Sequence, residues 1–367
     1  MKKLLNLIIY SVHISVVFAT ILSGYSYFIP PDLVKYIGIA GLLFPVFLIV
    51  NVLLGLYWIL QLNLRVLLTL GSIALVLPQA NTLFQNFIRN EEVFTEESIT
   101  VTTFNVRLFN HWHWFDEDVK EIMPKLLDSL GSQIVGIQEY YQSENTPKFN
   151  DFKYQFIATS FRNKNFGMAI FSKFPIAQKQ VVYFQSEAAD DRDGFIYADI
   201  KTPLGMARVV CAHLVSFKLT NEDLEMVENP SIESDSEQLK ANYLSVLQKI
   251  NRAFEKRAHQ VRELKEFIIE SPHPVILLGD LNDTPVSYTY KVLSGRLQDT
   301  FTQAGTGIGH TYNRTRYPFR IDYIFHSSEF KTIKHMVTTR PMVSDHYPVT
   351  AVLIRSQYES KVFHSDK

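Results

Sequence analysis

Polar residues follow an apolar, strand-like run in the stretch "HPVILLGDLNDTPVSY", residues 273–288. Pro274 to Leu278 are apolar and strand-prone, and the chain then turns through Gly279-Asp280-Leu281-Asn282-Asp283. A buried strand needs no such polar ending, whereas a phosphate or metal site at the mouth of the strand does. The stretch therefore predicts a site for chemistry at this end of the strand.

The same pattern recurs along the chain. Polar residues close or interrupt five further apolar runs: Asn105 in "TVTTFNV", Glu139 in "IVGIQE", His213 in "ARVVCAH", Asp322 in "FRIDYIF", and Asp345 with His346 in "SDHYPV". One such residue alone is most often a turn former or a cap. Together they predict a rim where strand ends converge, which is where sheet-based enzymes hold ligands.

The residue types at this rim narrow the chemistry. Carboxylate and amide oxygens are ligands for hard cations such as Mg²⁺ or Mn²⁺. The sequence has no Cys/His cluster of zinc spacing, no Gly-x-Ser-x-Gly elbow and no Walker loop. A metal with carboxylates and two histidines suits hydrolysis of a phosphate ester, in which the cation neutralises phosphoryl oxygens and a carboxylate orients or deprotonates water.

The elements that must position these residues are mostly strands. Periodicity predicts two helices, Val119–Leu130 and Glu237–Glu270, and a loop over Leu219–Ser236. Strands are predicted at Ser98–Val106, Ile134–Gln138, Gly167–Ser172, Gln180–Phe184, Phe195–Thr202, Ala207–His213, Val275–Leu278, Ile321–His326 and Val349–Ile354. Because the predicted strands outnumber the long helices, we expect two packed sheets with helices on their outer faces.

The N-terminal part of the chain is a candidate membrane anchor. Leu4–Phe28 and Tyr36–Leu60 lack charged residues and are long enough to span a bilayer, while Leu64–Pro78 is shorter and could extend to Ile88. A cleaved signal peptide is disfavoured because the first run is too long and a second span follows. We therefore expect an anchor of about three helices in residues 1–89, a linker at 90–97 and a catalytic domain at 98–367.

Charge bears on both topology and partners. Basic residues near the ends of membrane spans lie preferentially on the inner side. Lys2, Lys3 and Arg65 would lie there if the N-terminus is inside, and only Lys35 and Arg89 would lie outside, so the sequence favours an inner N-terminus. Three spans would then place the catalytic domain on the outer, periplasmic side of the cell membrane, and two spans would place it in the cytoplasm. Beyond residue 97 the chain has 31 basic and 32 acidic residues. Non-specific binding to nucleic acid usually requires a basic surface, so this balance argues against it.

Three further groups of residues are interpreted as structural. The single cysteine, Cys211, rules out an internal disulfide and is expected to be buried. Arg257 and Arg262 on the long helix are expected to be solvated. Trp112 and Trp114 flank His113 and are expected to pack rather than to bind.

The motifs, in their order, resemble those of the endonuclease/exonuclease/phosphatase superfamily, whose fold DNase I, exonuclease III, neutral sphingomyelinases and inositol-polyphosphate 5-phosphatases share. The matching pieces cover roughly residues 98–355 and are "TFNVR", "GIQE", "GMAIFSKFPI", "CAHL", "GDLND", "RIDYIF" and "SDHYPV". The resemblance implies a DNase I-like, four-layer α/β sandwich of two mainly antiparallel sheets flanked by helices. Here about three transmembrane helices would precede it.

The resemblance also implies roles for the rim residues. Glu139 would be the main ligand of Mg²⁺ or Mn²⁺, supported by Asn105, and Asp345 would help with the metal or water. Asp280 would activate water, and Asn282 would hydrogen-bond the phosphate. His346 would contact phosphoryl oxygens while Asp322 holds its imidazole. His213 resembles the second histidine of the DNase and sphingomyelinase branches, so "CAHLVSF" argues against an abasic-site repair enzyme.

These residues lead to alternative functions. The first is a membrane-anchored phosphodiesterase whose partners are a phosphodiester substrate and the lipid bilayer, with no obligate protein partner evident. That substrate is a lipid head group, a nucleic acid, which would make the protein a tethered nuclease, or another phosphate ester. The alternative of another class is a catalytically inactive membrane scaffold or receptor, which the intact residue set disfavours.

Overall fold

The structure is a computed structural model of the 367-residue chain that describes residues 2–86, 97–159, 161, 165–185, 193–228, 236–315 and 317–356. The chain forms two compact units. The first comprises Met1–Phe84, Phe217–Ala258 and Thr284–Lys291, and the second comprises Gln85–Ser216, His259–Asp283 and Val292–Lys367. Nearly all of the predicted linker and the last residues of the predicted catalytic domain lie outside the described residues, so those boundaries remain predictions.

Three apolar helices begin the first unit: α1 (Lys2–Tyr25), α2 (Ile37–Leu60) and α3 (Val66–Leu83). All three are long and apolar enough to cross a membrane, by length and composition. A helix satisfies its backbone hydrogen bonds internally, as a lipid environment requires. The third predicted stretch, Leu64–Pro78, continues as helix through Pro78 to Leu83, which gives α3 18 residues.

A chain of buried polar side chains joins these helices. Trp58 Nε1 donates to His13 Nδ1 at 2.9 Å, and His13 Nε2 lies 2.9 Å from Thr69 Oγ1. Because the indole N–H is only a donor, His13 Nδ1 must accept and Nε2 must carry the proton. Thr69 Oγ1 lies 3.1 Å from Asn51 Oδ1, and Asn51 Nδ2 donates to Ser72 Oγ at 2.8 Å. Hydrogen bonds of this kind fix how membrane helices associate.

Polar segments from later in the sequence complete the first unit. They are α5 (Asn221–Glu228), the part of α6 (Ser236–Ile269) up to Ala258, and residues 284–291, where α7 (Tyr288–Ser294) begins. The Tyr36 backbone N–H donates to Asn251 Oδ1 at 2.6 Å. A Cβ on Gly38 would meet the Phe254 ring at 2.5 Å, so glycine is required there. These segments therefore pack closely against the start of α2.

Two sequence interpretations are corrected in this unit. The predicted loop at Leu219–Ser236 contains α5, because Thr220 and Asp223 form a reciprocal capping box in which each backbone N–H donates to the other's side chain. Arg257 is fully buried rather than solvated. Its guanidinium lies 4.5 Å from the Phe217 ring centroid and 4.7 Å from that of Phe254, which is one helical turn away.

Two six-stranded sheets form the second unit. One has the order β10-β12-β9-β8-β7-β6 and the other β13-β14-β2-β3-β5-β4. The strand bounds are β2 (Ser98–Asn105), β3 (Ile134–Tyr141), β4 (Tyr154–Ala158), β5 (Phe166–Ser172), β6 (Ile176–Tyr183), β7 (Gly194–Thr202), β8 (Gly205–His213), β9 (Val275–Asp280), β10 (Gln298–Asp299), β12 (Asp322–His326), β13 (Phe330–Val337) and β14 (Val349–Arg355). A short pair, β1 (Gln85–Asn86) with β11 (Thr306–Gly307), and α8 (Thr300–Ala304) complete the unit.

Apolar side chains bury both faces of the central strands. One core lies between the sheets and includes Val101, Ile170, Val209 and Leu278. Helix α4 (Val119–Ser129) covers the outer face of one sheet through Met123 and Leu127, and the C-terminal part of α6 covers the other, where the Phe267 ring lies 4.8 Å from that of Phe195. The predicted DNase I-like sandwich is confirmed, and burial on both faces explains the continuous apolar runs.

The apolar pattern of the sequence failed to predict, or misplaced, strands at the edges of the sheets. β4 and β13 were not predicted, and β6 begins at Ile176 rather than Gln180. All three are edge strands with several exposed or half-buried residues. Their weak apolar alternation reflects pairing on one side only.

Candidate active site

Two parallel strand pairs align the polar strand ends. β2 and β3 run parallel with Asn105 opposite Gln138, and β8 and β9 run parallel with His213 opposite Asp280. β12 enters antiparallel to β9, with Asp322 also opposite Asp280. Because each parallel pair ends at the same edge of its sheet, the predicted residues converge there.

Asp280 occupies the centre of this group and is almost fully buried. Its Oδ2 accepts from Asn105 Nδ2 at 2.9 Å, which links the two sheets, and its Oδ1 accepts from the Asn282 backbone N–H at 2.9 Å. The ring nitrogens His213 Nε2 and His346 Nε2 each lie 3.7 Å from Oδ2. Burial and the neighbouring Asp322 raise the pKa of Asp280 to about 7, against the opposing effect of His346 and Asn105.

His346 and Asp322 form a buried pair. His346 Nδ1 donates to Asp322, 2.9 Å from Oδ2 and 3.1 Å from Oδ1. Burial alone would lower the pKa of His346, but the carboxylates of Asp322 and Asp280 outweigh it and raise the pKa to about 10. Thr311 holds this pair in place, because its Oγ1 accepts the backbone N–H groups of both Ile321 and Asp322. The neighbouring carboxylates therefore favour the imidazolium form of His346.

Glu139 reaches the group through an irregularity in β3. Its φ is 51°, in the left-handed region, and the register between β3 and β5 shifts between Ile137 and Tyr140. Such a bulge redirects a side chain at the end of a strand. Glu139 Oε1 lies 3.7 Å from His213 Nε2, and 27% of the Glu139 side chain remains exposed, against 1% for Asp280.

The remaining predicted residues have protein partners. Asn282, at a φ of 51°, donates through Nδ2 to the Leu214 carbonyl at 2.9 Å. Asp345 Oδ2 lies 3.3 Å from Arg107 Nη1. The positive φ is costly at Glu139, whereas Asn adopts it more readily at position 282, and such strain concentrates at functional sites. The structure thus brings all the predicted residues near one edge, while their individual roles stay proposals.

Sequence reasoning missed three neighbours of the site. Arg107 stands in the quoted motif "TFNVR" and contacts Asp345. Ser344 Oγ donates to the Asn105 carbonyl at 2.8 Å, which joins the last site motif to β2. The Tyr312 ring lies 4.9 Å from that of His346, and burial raises the pKa of Tyr312 to about 12. Arg107 and Ser344 carried a signal, because they stand in the quoted motifs "TFNVR" and "SDHYPV".

The loop after β2 differs from its interpretation. Trp112 is exposed rather than packed, with 64% of its surface accessible, whereas Trp114 is 42% exposed and packs on one side only. The Arg107 guanidinium lies 4.1 Å from the Trp114 ring centroid. Arg107–Asn110 and His113 have positive φ values, so the backbone of this loop is irregular.

The donor set fits a hard divalent cation. Ligand atoms of Asp280, Asp322 and His346 lie within 4.8 Å of one another. Asp322 is already committed to the His346 imidazolium, so we favour the more exposed Glu139 as the principal ligand. Asn105 Oδ1 accepts the Arg107 backbone N–H at 3.0 Å, and its Nδ2 donates to Asp280 Oδ2 at 2.9 Å. Oxygen donors of this kind suit Mg²⁺ or Mn²⁺.

Comparisons with solved structures agree with this fold. An endonuclease/exonuclease/phosphatase from Beutenbergia cavernae is similar with a TM-score of 0.51 at 16% identity, over 71% of this chain and 72% of that chain. A family protein from Bacteroides thetaiotaomicron is similar with a TM-score of 0.51 at 17% identity, over 72% and 100% of the two chains. An endonuclease/exonuclease/phosphatase from Bacteroides vulgatus is similar with a TM-score of 0.50 at 15% identity, over 71% of this chain and 100% of that chain. At such identities the likeness shows the fold.

Family models match both parts of the chain. Residues 3–83 match a domain of unknown function (DUF8431). No curated protein matches the chain. Residues 102–346, more than half of the chain, match the Endonuclease/Exonuclease/phosphatase family model. The chain therefore belongs to the endonuclease/exonuclease/phosphatase family, a family of phosphate-ester hydrolases.

Proposed function

We propose that the protein is a membrane-anchored, divalent-metal-dependent phosphodiesterase. One observation carries the proposal: buried Asp280 lies 3.7 Å from two imidazole nitrogens and accepts a hydrogen bond from the opposite sheet. A carboxyl group whose pKa is near 7 can accept a proton at neutral pH, and an imidazolium beside it can stabilise negative charge.

The chain's own residues have distinct parts in this reaction. Asp280 orients a water molecule and takes its proton as the water oxygen attacks phosphorus. His346 donates from Nε2 to a phosphoryl oxygen, while Asp322 holds Nδ1 and keeps the imidazole charged. His213 adds a second donor beside Asp280. The bond from phosphorus to the leaving oxygen breaks, and this oxygen takes up a proton from solvent while Asp280 releases the one it accepted, which yields a phosphomonoester and an alcohol.

Mg²⁺ or Mn²⁺ would be held principally by Glu139, with Asp345 and Asn105 as the other predicted ligands, and would supply Lewis-acid neutralisation of the phosphoryl oxygens. Asn282 remains our candidate for a hydrogen bond to the phosphate. Its Nδ2 donates to the Leu214 carbonyl in this structure, so this contact requires the amide to turn when substrate binds.

The N-terminal helices support a substrate at the membrane. Three helices are apolar enough to span it, and polar segments pack directly against them within the first unit. A tether raises the concentration of an enzyme near substrates in the same phase. The near balance of charge beyond residue 97 supports a lipid-linked diester over nucleic acid. Nucleic acid is the second candidate and is an arm of the test.

The test uses the full-length protein in detergent. We expect Mg²⁺- or Mn²⁺-dependent hydrolysis of bis-p-nitrophenyl phosphate that EDTA abolishes. Asp280→Asn is expected to lower kcat by about 10²–10⁴, as for loss of a general base, whereas the exposed helix variant Asp128→Asn should match the wild type. Normal turnover by Asp280→Asn would refute the assignment. Parallel assays with phospholipid vesicles, plasmid DNA and RNA distinguish the substrate classes.

The predicted outer location of the catalytic domain needs a separate measurement. An alkaline phosphatase fused after Lys367 is active only when exported. Three spans with an inner N-terminus predict high phosphatase activity, and a fluorescent protein fused at the same point should be dark. The opposite pair of signals would place the domain in the cytoplasm.

A further inference from the structure

A polar cleft of about 380 Å³ lies between the loop that follows β2 and the end of β3. Its lining includes His111, His113, Tyr141, Gln142, Asn145 and Asn165. Ser143 and Glu144 complete the lining. A volume of this size is typical of small-molecule sites.

The cleft belongs to the same sheet edge as the candidate active site. β2 and β3 are parallel neighbours, so the loop after Asn105 and the residues after Glu139 leave the sheet together. Arg107, in the first of these loops, contacts Asp345. Tyr141 is the last residue of β3 and follows Glu139 by two positions. A group attached to a phosphate at Asp280 and His346 would extend along this edge.

The loop that forms one wall of the cleft has a defined shape. Arg107–Asn110 and His113 all have positive φ values. Asn110 fastens the turn, because its Nδ2 donates to the Phe115 carbonyl at 2.7 Å and its Oδ1 accepts the Phe115 N–H at 3.0 Å. A strained conformation that is held by specific hydrogen bonds is a feature of ligand-binding segments.

The chemistry of the lining selects the kind of ligand. Every one of the eight side chains can hydrogen-bond, and none is aliphatic. Among the residues that the structure describes, the lining has no Lys or Arg and one carboxylate, Glu144, which disfavours a second phosphate. An acyl chain would find no apolar wall. What remains is an uncharged group rich in hydroxyls.

His111 gives an independent indication. Its ring lies 4.5 Å from that of Tyr141, across the lining. Within the part of the chain that the structure describes, His111 Nδ1 is buried without a hydrogen-bond partner. A buried nitrogen left unpaired costs free energy, and a turn of the ring toward the cleft on ligand binding would let a hydroxyl pair with it.

We infer that this cleft binds the alcohol portion of the substrate, and that this alcohol is an uncharged polyol such as a sugar. The inference rests on the proposed hydrolysis of phosphate esters and adds the substrate class to it. The metal and the Asp280–His346 pair act at phosphorus, and the cleft selects which ester is positioned there.

The experiment compares p-nitrophenyl phosphodiesters that share one leaving group. In the second ester position they carry glucose through its 6-oxygen, cyclohexylmethanol, or a nucleoside through its 5′-oxygen. The full-length protein in detergent with Mg²⁺ should cleave the glucose ester with kcat/KM at least about tenfold above the cyclohexylmethyl ester, because a site built for hydroxyls rejects an analogue without them. The nucleoside ester should also be slower than the glucose ester.

Matched variants locate this preference. Gln142→Leu and Asn145→Leu should each lower kcat/KM for the glucose ester by about two- to tenfold, the value of one neutral hydrogen bond, and leave the cyclohexylmethyl ester unchanged. Gln185→Leu, an exposed residue in the turn after β6 of the other sheet, should change neither. Equal rates for the glucose and cyclohexylmethyl esters, a faster nucleoside ester, or an unchanged preference in both cleft variants would overturn the inference.

A binding measurement separates this inference from the proposed function. Calorimetry with Asp280→Asn should show that glucose 6-phosphate binds more tightly than cyclohexylmethyl phosphate, and that Asn145→Leu in the same background removes the difference. Hydrolysis of none of the esters would refute the proposed function alone. Equal binding of the two phosphates would refute the cleft assignment whatever the turnover.

Discussion

His346 Nδ1 donates to Asp322 Oδ2 at 2.9 Å, and both side chains are almost fully buried. Asp322 begins β12 and His346 lies 24 positions later, in the loop before β14, and the two meet beside Asp280. The pair explains how a buried histidine keeps a proton: the carboxylate offsets the cost of desolvating the charged ring. This relationship makes the charge state of His346 depend on Asp322.

Replacing Asp322 with Asn tests this dependence. The amide cannot stabilise the imidazolium, so we expect kcat on bis-p-nitrophenyl phosphate to fall by about 10²–10⁴. The pKa of His346 should fall as well, which moves the alkaline limb of the pH–rate profile to lower pH. Asp128→Asn serves as the control. An unmoved alkaline limb with normal kcat would show that Asp322 does not govern His346.

Glu139→Gln tests the assignment of the metal ligand. Loss of one carboxylate weakens binding of a hard cation, so the Mg²⁺ concentration for half-maximal activity should rise at least about tenfold, a typical cost of altering a metal site. Direct Mn²⁺ binding by electron paramagnetic resonance should weaken in parallel. Glu121→Gln, on the exposed face of α4, should leave both measurements unchanged. Wild-type Mn²⁺ affinity in Glu139→Gln would assign the metal to other ligands.

The buried polar chain between the apolar helices predicts a stability difference between two serines. Ser72→Ala removes the acceptor of Asn51 Nδ2 in a buried position. We expect a loss of about 1 kcal/mol, within the range measured for hydrogen bonds between membrane helices. Ser15 is exposed and bonds only to its own helix, at the Ser11 carbonyl, so Ser15→Ala is the matched control. Equal unfolding profiles of the two variants in mixed detergent micelles would show that the chain does not stabilise the bundle.

His335 predicts how stability responds to acid. Burial lowers its pKa to about 4, while Asp299 raises it and Arg320 lowers it less strongly. The unfolded chain therefore binds a proton near pH 6.5 that the folded protein excludes. The stabilisation is complete above pH 6.5 and is lost as pH falls toward 4, by on the order of 2–3 kcal/mol.

Thermal unfolding of the full-length protein from pH 7 to pH 4.5 measures this loss. His335→Phe removes the titrating group and should flatten the decline in melting temperature over this range. His273→Phe, in the loop before β9, is the control and should retain the wild-type slope. A decline that is equally steep in His335→Phe would assign the acid sensitivity to other groups.

The sequence alone determined the type of fold and the composition of the site. Continuous apolar runs predicted strands buried on both faces, because only such strands avoid polar side chains along their length. Polar residues at the ends of those runs predicted a rim. Long uncharged runs predicted the apolar helices, because a bilayer requires about 20 such residues. All of these are local patterns that neighbouring residues in the chain specify.

Only the tertiary structure decided which atoms meet. Asn105 and Asp280 are 175 positions apart, and the opposition of two sheets places them in hydrogen-bond contact. The burial of Arg257 between aromatic rings, the capped helix α5 and the exposure of Trp112 each depend on partners or backbone angles that periodicity does not report. Local sequence selects strands and their polar ends, whereas sheet order and register select contacts between distant residues, because those contacts form only when the whole core packs.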